Sequence, residues 1–590
     1  MKRRPTPDAG VVHATTTRRP TEGRYAGVTD RKANGVTYTP PGLAEYLAEK
    51  LVELLVDAKT RELIRVLDPA IGDGALVVAL VRVLARVSAA RISVVGYETN
   101  PSAAETARRE IAAACPGVDL EVRVRDFLGD ADDDRFDLAI ANPPYVRTQL
   151  LGAVDTAALA ARFGLEGRLD LYQAFALALV DRLDVGGSLA LITSNRFLTT
   201  KGAAAFRESL RANLAIARVW DLGDTKLFDA TVLPAMLVAS RRTRSQAPLP
   251  DARFTSVYER KGASGAEDAL FPSALDRTSD VAIGPRTFRI SQGRLRIDDG
   301  SVWRLSSDDL EAWLRTVRDR TWKPLGAIGK IRVGVKSTSD RVFIREDWSD
   351  FGTEAPELLR PLLTHHAARR YHADPPTRQI LYPHLDDSGR RRVAELDAYP
   401  VTAAYLEAHR RVLEARPYLR AAGRRWYELW VPHEPALWAR TKLVFRDIAE
   451  TPTFFLDESG SVVNGDCYWM IADDPADTDV LFLALAVTNS TFIEAFYDHR
   501  FNNKLFGGRR RFMTQYVAEF PLPDPSDELS KAIIALARRR HRTTDPRAAE
   551  RLEREIDALV WTAFGLPDGR AITEALDERT SPRSPRSAGA

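Results

Sequence analysis

Three strand-like runs that each close on an acid constrain this chain more than any other feature. Ile64-Arg65-Val66-Leu67 runs into Asp68, Ile92-Ser93-Val94-Val95-Gly96-Tyr97 into Glu98, and the run from Leu120 to Arg125 into Asp126. A Gly-rich turn, Pro69-Ala70-Ile71-Gly72-Asp73-Gly74, and an apolar helical stretch from Ala75 to Val87 separate the first two. Strand and helix signals keep alternating from about Ala44 to Ala239, the pattern of a mostly parallel, doubly wound sheet. In such a sheet the C-terminal strand ends share one edge, and ligands bind there. The three acids are therefore predicted to face one crevice.

The turn after Asp68 lets backbone approach a ligand closely at a helix N-terminus. It lacks the Gly-x-Gly-x-x-Gly spacing of dinucleotide-binding loops, and Asp68 and Asp73 would repel a pyrophosphate. A cationic ligand suits it better, and the sulfonium and amino group of S-adenosylmethionine carry that charge. Glu98 is then placed to take both hydroxyls of a ribose, and Asp126 with Phe127 to accept from an adenine amino group and cover its ring. Each acid alone reads equally well as a helix cap or a surface residue. Their order along the chain carries the argument.

Downstream, the apolar run Phe136-Asp137-Leu138-Ala139-Ile140-Ala141 leads into Asn142-Pro143-Pro144-Tyr145. The lone pair of an exocyclic amino group on a base is delocalised into the ring, so the nitrogen attacks poorly unless both its hydrogens are accepted and the base is held rigidly. The Asn142 side-chain carbonyl and the Pro143 backbone carbonyl supply two acceptors. Pro143 and Pro144 stiffen the loop, and Tyr145 offers a face on which an extruded base stacks. A strand followed by an ordinary Pro-Pro turn is the competing reading.

In this order the motifs resemble the gamma class of DNA adenine-N6 methyltransferases, found in bacterial restriction-modification systems of Type II and IIG-like kinds. The resemblance spans about residues 35 to 240. Gly35-Val36-Thr37-Tyr38-Thr39-Pro40-Pro41 matches the class's N-terminal cofactor-contacting stretch, which implies a contact from Thr39. Asp68, Pro69, Ala70, Gly72 and Gly74 match its cofactor loop, Glu98 its ribose acid, and Asp126-Phe127 its adenine pair. Asp170-Leu171-Tyr172-Gln173-Ala174-Phe175 matches its next helix and Gly186 to Ile192 its fifth strand. Phe228, before a strand from Ala235 to Ala239, stands where the class places a second aromatic against the flipped base. Ile71 departs from the small residue or Cys often found there, a change that backbone-mediated binding tolerates. The resemblance implies a Rossmann-like class I methyltransferase domain using S-adenosylmethionine and no metal. Its implied reaction is methylation of N6 on a flipped adenine in double-stranded DNA. An RNA adenine methyltransferase, or a catalytically silent DNA-binding specificity subunit, remains the alternative.

The expected organisation is a disordered basic tail over 1–34, a catalytic domain over 35–245 and a connecting segment over 246–302. A mixed α+β target-recognition domain over 303–525, a helical element over 526–575 and a disordered tail over 576–590 follow. Two cysteines, Cys115 and Cys467, exclude a disulfide framework and a thiolate zinc site. No apolar run reaches membrane-spanning length, so the expectation is a cytoplasmic monomer with no membrane contact, partnered by a separately encoded restriction endonuclease.

With 84 basic against 81 acidic residues, bulk charge says little about partners, and local patterning has to carry that argument. Arg424, Arg425, Lys442 and Arg446 stand among aromatics. Asn502, Asn503, Lys504, Arg509, Arg510 and Arg511 follow in one run between Phe501 and Phe512. Cations of this kind neutralise phosphates, and Asn and Arg read base edges, so these ten are the candidate DNA contacts. Solvated arginines on an Arg-rich surface would produce the same pattern.

Overall fold

The computed structural model describes residues 39–129, 132–145, 159–165, 170–225, 227, 233–242, 252–259, 272–297, 302–349, 354–501 and 509–566. Strands β1 (Leu63–Asp68), β2 (Arg91–Tyr97), β3 (Asp119–Arg123) and β4 (Phe136–Ala141) lie parallel in the order β4-β1-β2-β3. Their pleat explains the residues chosen. Ile64 and Val66 turn to one core, with Leu47 and Leu80, while Leu67 turns to the other, with Phe175 and Leu179. Burial on both faces is why β1, β2 and β4 read as largely continuous apolar runs, whereas the edge strand β3, mostly exposed, alternates.

Helices α1 (Pro41–Val52), α2 (Ala75–Val87) and α3 (Pro101–Ala114) contribute to the first core. Helix α4 (Leu171–Arg182) and helix α5 (Ala204–Asn213) contribute to the second. A capping box between Asp170 and Gln173 starts α4, which satisfies amide groups that a helix start otherwise leaves open. Strand β5 (Leu183–Ser194) extends the sheet in parallel beside β4. Beyond it β6 (Leu214–Asp221) and β7 (Pro234–Arg241) reverse the pattern, because β7 lies antiparallel between β5 and β6.

The stretch expected as a connection belongs to this same sheet. Strands β8 (Arg253–Glu259), β9 (Ser279–Ile283), β10 (Arg286–Ile297) and β11 (Trp303–Ser306) continue it to eleven strands, with β8 parallel to β6 and β10 antiparallel to β8. Phe254, Val257, Val281, Phe288 and Ile290 are buried in its two cores. Only their short, interrupted alternation made the segment look like linker. The boundary expected at 245 is therefore corrected: the catalytic sheet runs on to Ser306.

Among the described residues the second half holds two four-stranded sheets and three two-stranded ones. One four-stranded sheet comprises Arg332–Val333, Cys467–Met470, Lys442–Arg446 and Phe454–Asp457; the other comprises Ile344–Arg345, Arg378–Leu381, Leu359–Leu363 and Val462–Val463. Val342 and Phe343 end the short helix Asp340–Phe343, and pairing starts only at Ile344. The helices Glu528–Arg542 and Pro546–Ala563 share a core with Thr478–Thr488. Among the described residues no single helix is long and apolar enough to cross a membrane. The two halves meet where the Tyr516 hydroxyl donates to the Thr199 carbonyl at 2.9 Å, just past the end of β5.

Candidate active site

The parallel order of β1, β2 and β4 brings Asp68, Glu98 and Asn142 to one edge of the sheet. Asp68 ends β1 and is 1% exposed. Its Oδ1 accepts from the Ala70 amide at 3.0 Å, and its Oδ2 is buried with no hydrogen-bond partner. Burial, with smaller contributions from the Glu98 and Asp73 charges, pushes its carboxyl up to about 7. A buried carboxylate oxygen left open in this way is costly unless a cation arrives. Gly72, at φ +56°, and Gly74, at φ +87°, turn the loop in the left-handed region. A Cβ placed on Gly72 would meet only the Ala70 carbonyl at 4.0 Å, so the backbone stays open to a ligand. Glu98 spans this loop and the next strand end, accepting from the Gly72 amide at 3.2 Å and the Asn100 amide at 2.8 Å.

The third acid sits differently. Asp126 is exposed and accepts from the Leu128 amide at 3.0 Å, while the Phe127 ring is 3% exposed and packs edge-on against Tyr97 at 5.1 Å. That ring is committed to the core rather than laid over an open crevice. Pro69 is buried and Ala70 half-buried, both within the β1 turn.

At the end of β4 the loop Asn142 to Tyr145 begins. Asn142 Nδ2 donates to the Thr39 hydroxyl at 3.1 Å, and the Tyr145 hydroxyl donates to Asn142 Oδ1 at 2.8 Å. Thr39 thus joins the segment ahead of α1 to the Asn142 loop. Burial raises the Tyr145 phenol far above its ordinary range, so it stays a neutral donor. Pro143 is buried and Pro144 half-buried, holding the loop against the sheet. Phe228 lies outside the described residues.

Sequence reasoning missed a fourth strand-end acid on this edge. Asp221 closes β6, is 2% exposed, and accepts from Asn195 Nδ2 at 3.1 Å, the Gly223 amide at 3.2 Å and the Tyr258 hydroxyl. It fixes the start of the turn after β6. The same strand-then-acid pattern that exposed Asp68 was available for Asp221.

The candidate DNA contacts separate on burial. Lys442 is 0% exposed, 2.5 Å from Asp457 and 2.7 Å from the Trp438 carbonyl; Arg510 is 8% exposed and paired with Asp498 and Glu494. Neither presents its charge to a phosphate, which corrects both expectations. Arg424 donates to the Leu429 and Trp430 carbonyls, and Arg425 pairs with Glu395 in both arms of its guanidinium. Arg511 pairs with Asp447 while remaining exposed, Arg509 is exposed, and Arg446 is half-buried with its Nε unpartnered. Asn502, Asn503 and Lys504 lie outside the described residues.

Residues 93–228 match the Eco57I restriction-modification methylase family, and residues 401–522 match the TaqI-like C-terminal specificity domain. Over 570 residues the chain is 34% identical to the Type II methyltransferase M.BanIII of Aneurinibacillus aneurinilyticus, covering 91% of this chain and 98% of that one. The chain belongs to the Type II restriction-modification methyltransferases. It is also 27% identical to the Type II methyltransferase M.XhoI of Xanthomonas vasicola over 72% of this chain and 78% of that protein. A shorter likeness, 31% over 121 residues, links it to the release factor glutamine methyltransferase of Agrobacterium fabrum, covering 20% of this chain and 39% of that one. S-adenosylmethionine is the cofactor of this methyltransferase. Its charge fits the open Asp68 oxygen and the glycine turn beside it.

Proposed function

We propose that this Type II methyltransferase methylates N6 of a specific adenine flipped out of double-stranded DNA. The observation that carries the reading is the placement of Asn142 Oδ1, an acceptor held by Tyr145, at the strand edge that also holds the unpartnered Asp68 carboxylate. Bound there, S-adenosylmethionine supplies an electrophilic methyl group on sulfur. Asp68 holds the cofactor's amino cation, Glu98 its ribose hydroxyls and Asp126 its adenine amino group. Asn142 Oδ1 and the Pro143 carbonyl accept the two hydrogens of the target amine, which localises its lone pair and aims it. Tyr145 stacks on the extruded ring once its hydroxyl leaves Asn142, and Phe228 closes the opposite side. The matched specificity domain supports selection of a DNA sequence by the second half. On the same reading the chain acts as a cytoplasmic monomer that protects host DNA from a separately encoded endonuclease.

The likeness to a glutamine methyltransferase favours a second reading, since an amide nitrogen poses the same chemical problem as an aryl amine. It covers a small part of the chain and gives the specificity half no role. Expression in a methylation-free host, followed by sequencing of modified bases, tests the proposal. N6-methyladenine at one recurrent sequence is the expected result, and unmodified DNA would overturn it.

A further inference from the structure

Strand pairing in the second half brings His365 onto the specificity domain, although it lies outside the matched segment 401–522. Leu359–Leu363 pairs in parallel with Val462–Val463, so the residues just past both strands become neighbours. There His365 Nδ1 stands 2.6 Å from Asp466 Oδ2, across 101 residues of sequence, and the ring lies 3.9 Å from that of His366. The other Asp466 oxygen is buried without a partner, while the His365 side chain is 39% exposed. A hydrogen-bonded pair at the surface adds little stability, so its geometry matters more than its strength.

Around this pair lie two of the arginines offered above as candidate DNA contacts. The Asp447 amide donates to the Asp466 carbonyl at 3.3 Å, Arg446 stands opposite Cys467 in register, and Arg511 pairs with Asp447. From Arg511 the chain runs through Phe512, whose amide donates to the Asp447 carbonyl at 2.8 Å, to Tyr516 on Thr199. This corner is thereby tied to the loop that follows β5 on the active-site edge. His365 Nδ1 lies 2.6 Å from Asp466 Oδ2, and a carboxylate oxygen can only accept there, so the pair favours the tautomer with the proton on Nδ1, in which Nε2 is an acceptor. An acceptor so held suits the exocyclic amino group of adenine or cytosine in the major groove.

We infer that His365, oriented by Asp466, is a specificity-determining residue that reads a base amino group in the target. The inference rests on the DNA reading given above. The test uses the full chain with S-adenosylmethionine's non-reactive analogue sinefungin, and a set of duplexes that each change one base pair of the mapped target. Competition binding measures how strongly each change is rejected. In His365→Ala, rejection at one position falls by about 5- to 150-fold while the other positions stay as in the parent. In Asp466→Asn the neutral amide no longer fixes the tautomer, since its oxygen accepts from Nδ1–H and its NH2 donates to Nδ1, and the base preference at that same position weakens. Unchanged rejection at every position in both variants, or affinity lowered equally for all duplexes, would overturn the inference. Thermal melting checks each fold, and His365→Gln, which keeps an acceptor, decides the matter if the alanine variant does not fold. A parent protein that rejects no duplex would instead sink the DNA reading itself.

Discussion

The Tyr145 hydroxyl lies 2.8 Å from Asn142 Oδ1 and donates to it, occupying the acceptor that the proposed chemistry assigns to the target amine. The base therefore either takes the second lone pair of that oxygen or displaces Tyr145 from it. Exchanging one neutral hydrogen bond for another costs little, since the net value of each is about 1 kcal/mol.

Two substitutions separate these roles. Asn142→Ala removes the acceptor without touching Asp68 or Glu98, and loss of a preorganised polar group of this kind costs about 10²-fold or more in rate. Methyl transfer is expected to collapse while calorimetric cofactor affinity persists. Tyr145→Phe keeps the ring and removes only the competing donor, so its turnover should stay within about fivefold of the parent. Near-normal turnover in Asn142→Ala would refute the assignment.

The contact proposed between Asp68 and the cofactor's cation carries a pH dependence. Its carboxyl rises from the ordinary value of 3.8 to about 7 through burial, so the folded chain without cofactor binds this proton more tightly than the unfolded chain does. Its contribution to stability is thus lost as pH climbs from about 4 to 7. A cationic amino group favours the ionised form, and below pH 7 binding must expel the proton. Cofactor affinity should weaken by up to about tenfold per pH unit below 7, beyond whatever the Asp68→Asn variant shows. Identical pH profiles for the two proteins would remove Asp68 from contact with the cation.

Glu98 is expected to matter for the cofactor and for its loop alike, because it already holds the Gly72 and Asn100 amides. Each charge-assisted bond is worth about 1.5–3 kcal/mol, so Glu98→Ala should weaken S-adenosylmethionine binding by tenfold or more. Calorimetry on Tyr145→Ala, expected to match the parent, is the internal control.

Burial divides the basic residues of the second half into two groups with opposite signatures. Removing Lys442 leaves Asp457 as a buried charge without its cation, a loss of about 3–5 kcal/mol, and removing Arg510 takes a cation from the half-buried Asp498 and Glu494, a smaller loss. Those alanine variants should melt below the parent. Arg509→Ala should alter stability by no more than about 0.5 kcal/mol. If it meets a phosphate, it should reduce the slope of log affinity against log salt by about 0.9. An unchanged slope would return Arg509 to the solvated surface.

What the sequence made legible follows from locality. The β1 strand, its glycine turn and α2 lie within one continuous stretch, and helix Ala75–Val87 matches the apolar run residue for residue. Asp170 to Phe175 is recognised through the resemblance alone, although the capping box that starts α4 joins Asp170 and Gln173 only three residues apart and is open to a local reading. Lys442 misled for the opposite reason: its partner Asp457 arrives only when Lys442–Arg446 and Phe454–Asp457 pair, and nothing local distinguishes a buried lysine from a solvated one. His365 and Asp466 meet through a strand pairing that no spacing rule announces. The edge strands β8 to β11 escaped notice because polar turns interrupt them and β10 hides alternating Phe288 and Ile290 among arginines.

That last feature sets where the chain can be cut. A protein ending at residue 245 would lose Phe254, Val257, Phe288, Ile290 and Trp303, all buried in the catalytic cores, and would strip β6 of its parallel partner β8. Each such side chain contributes about 1.5–3 kcal/mol, so the loss is on the order of 10 kcal/mol. That equals the whole stability of an ordinary domain, roughly 5–15 kcal/mol. The short form should therefore fail to fold and bind no cofactor. A form ending at residue 306 keeps all eleven strands and the Asp68 turn, so it should bind S-adenosylmethionine while losing sequence-selective methylation. Calorimetry and circular dichroism on the two truncations decide the boundary. Cofactor binding by the 245-residue form at the parent's affinity would show that β8 to β11 are dispensable to the catalytic sheet.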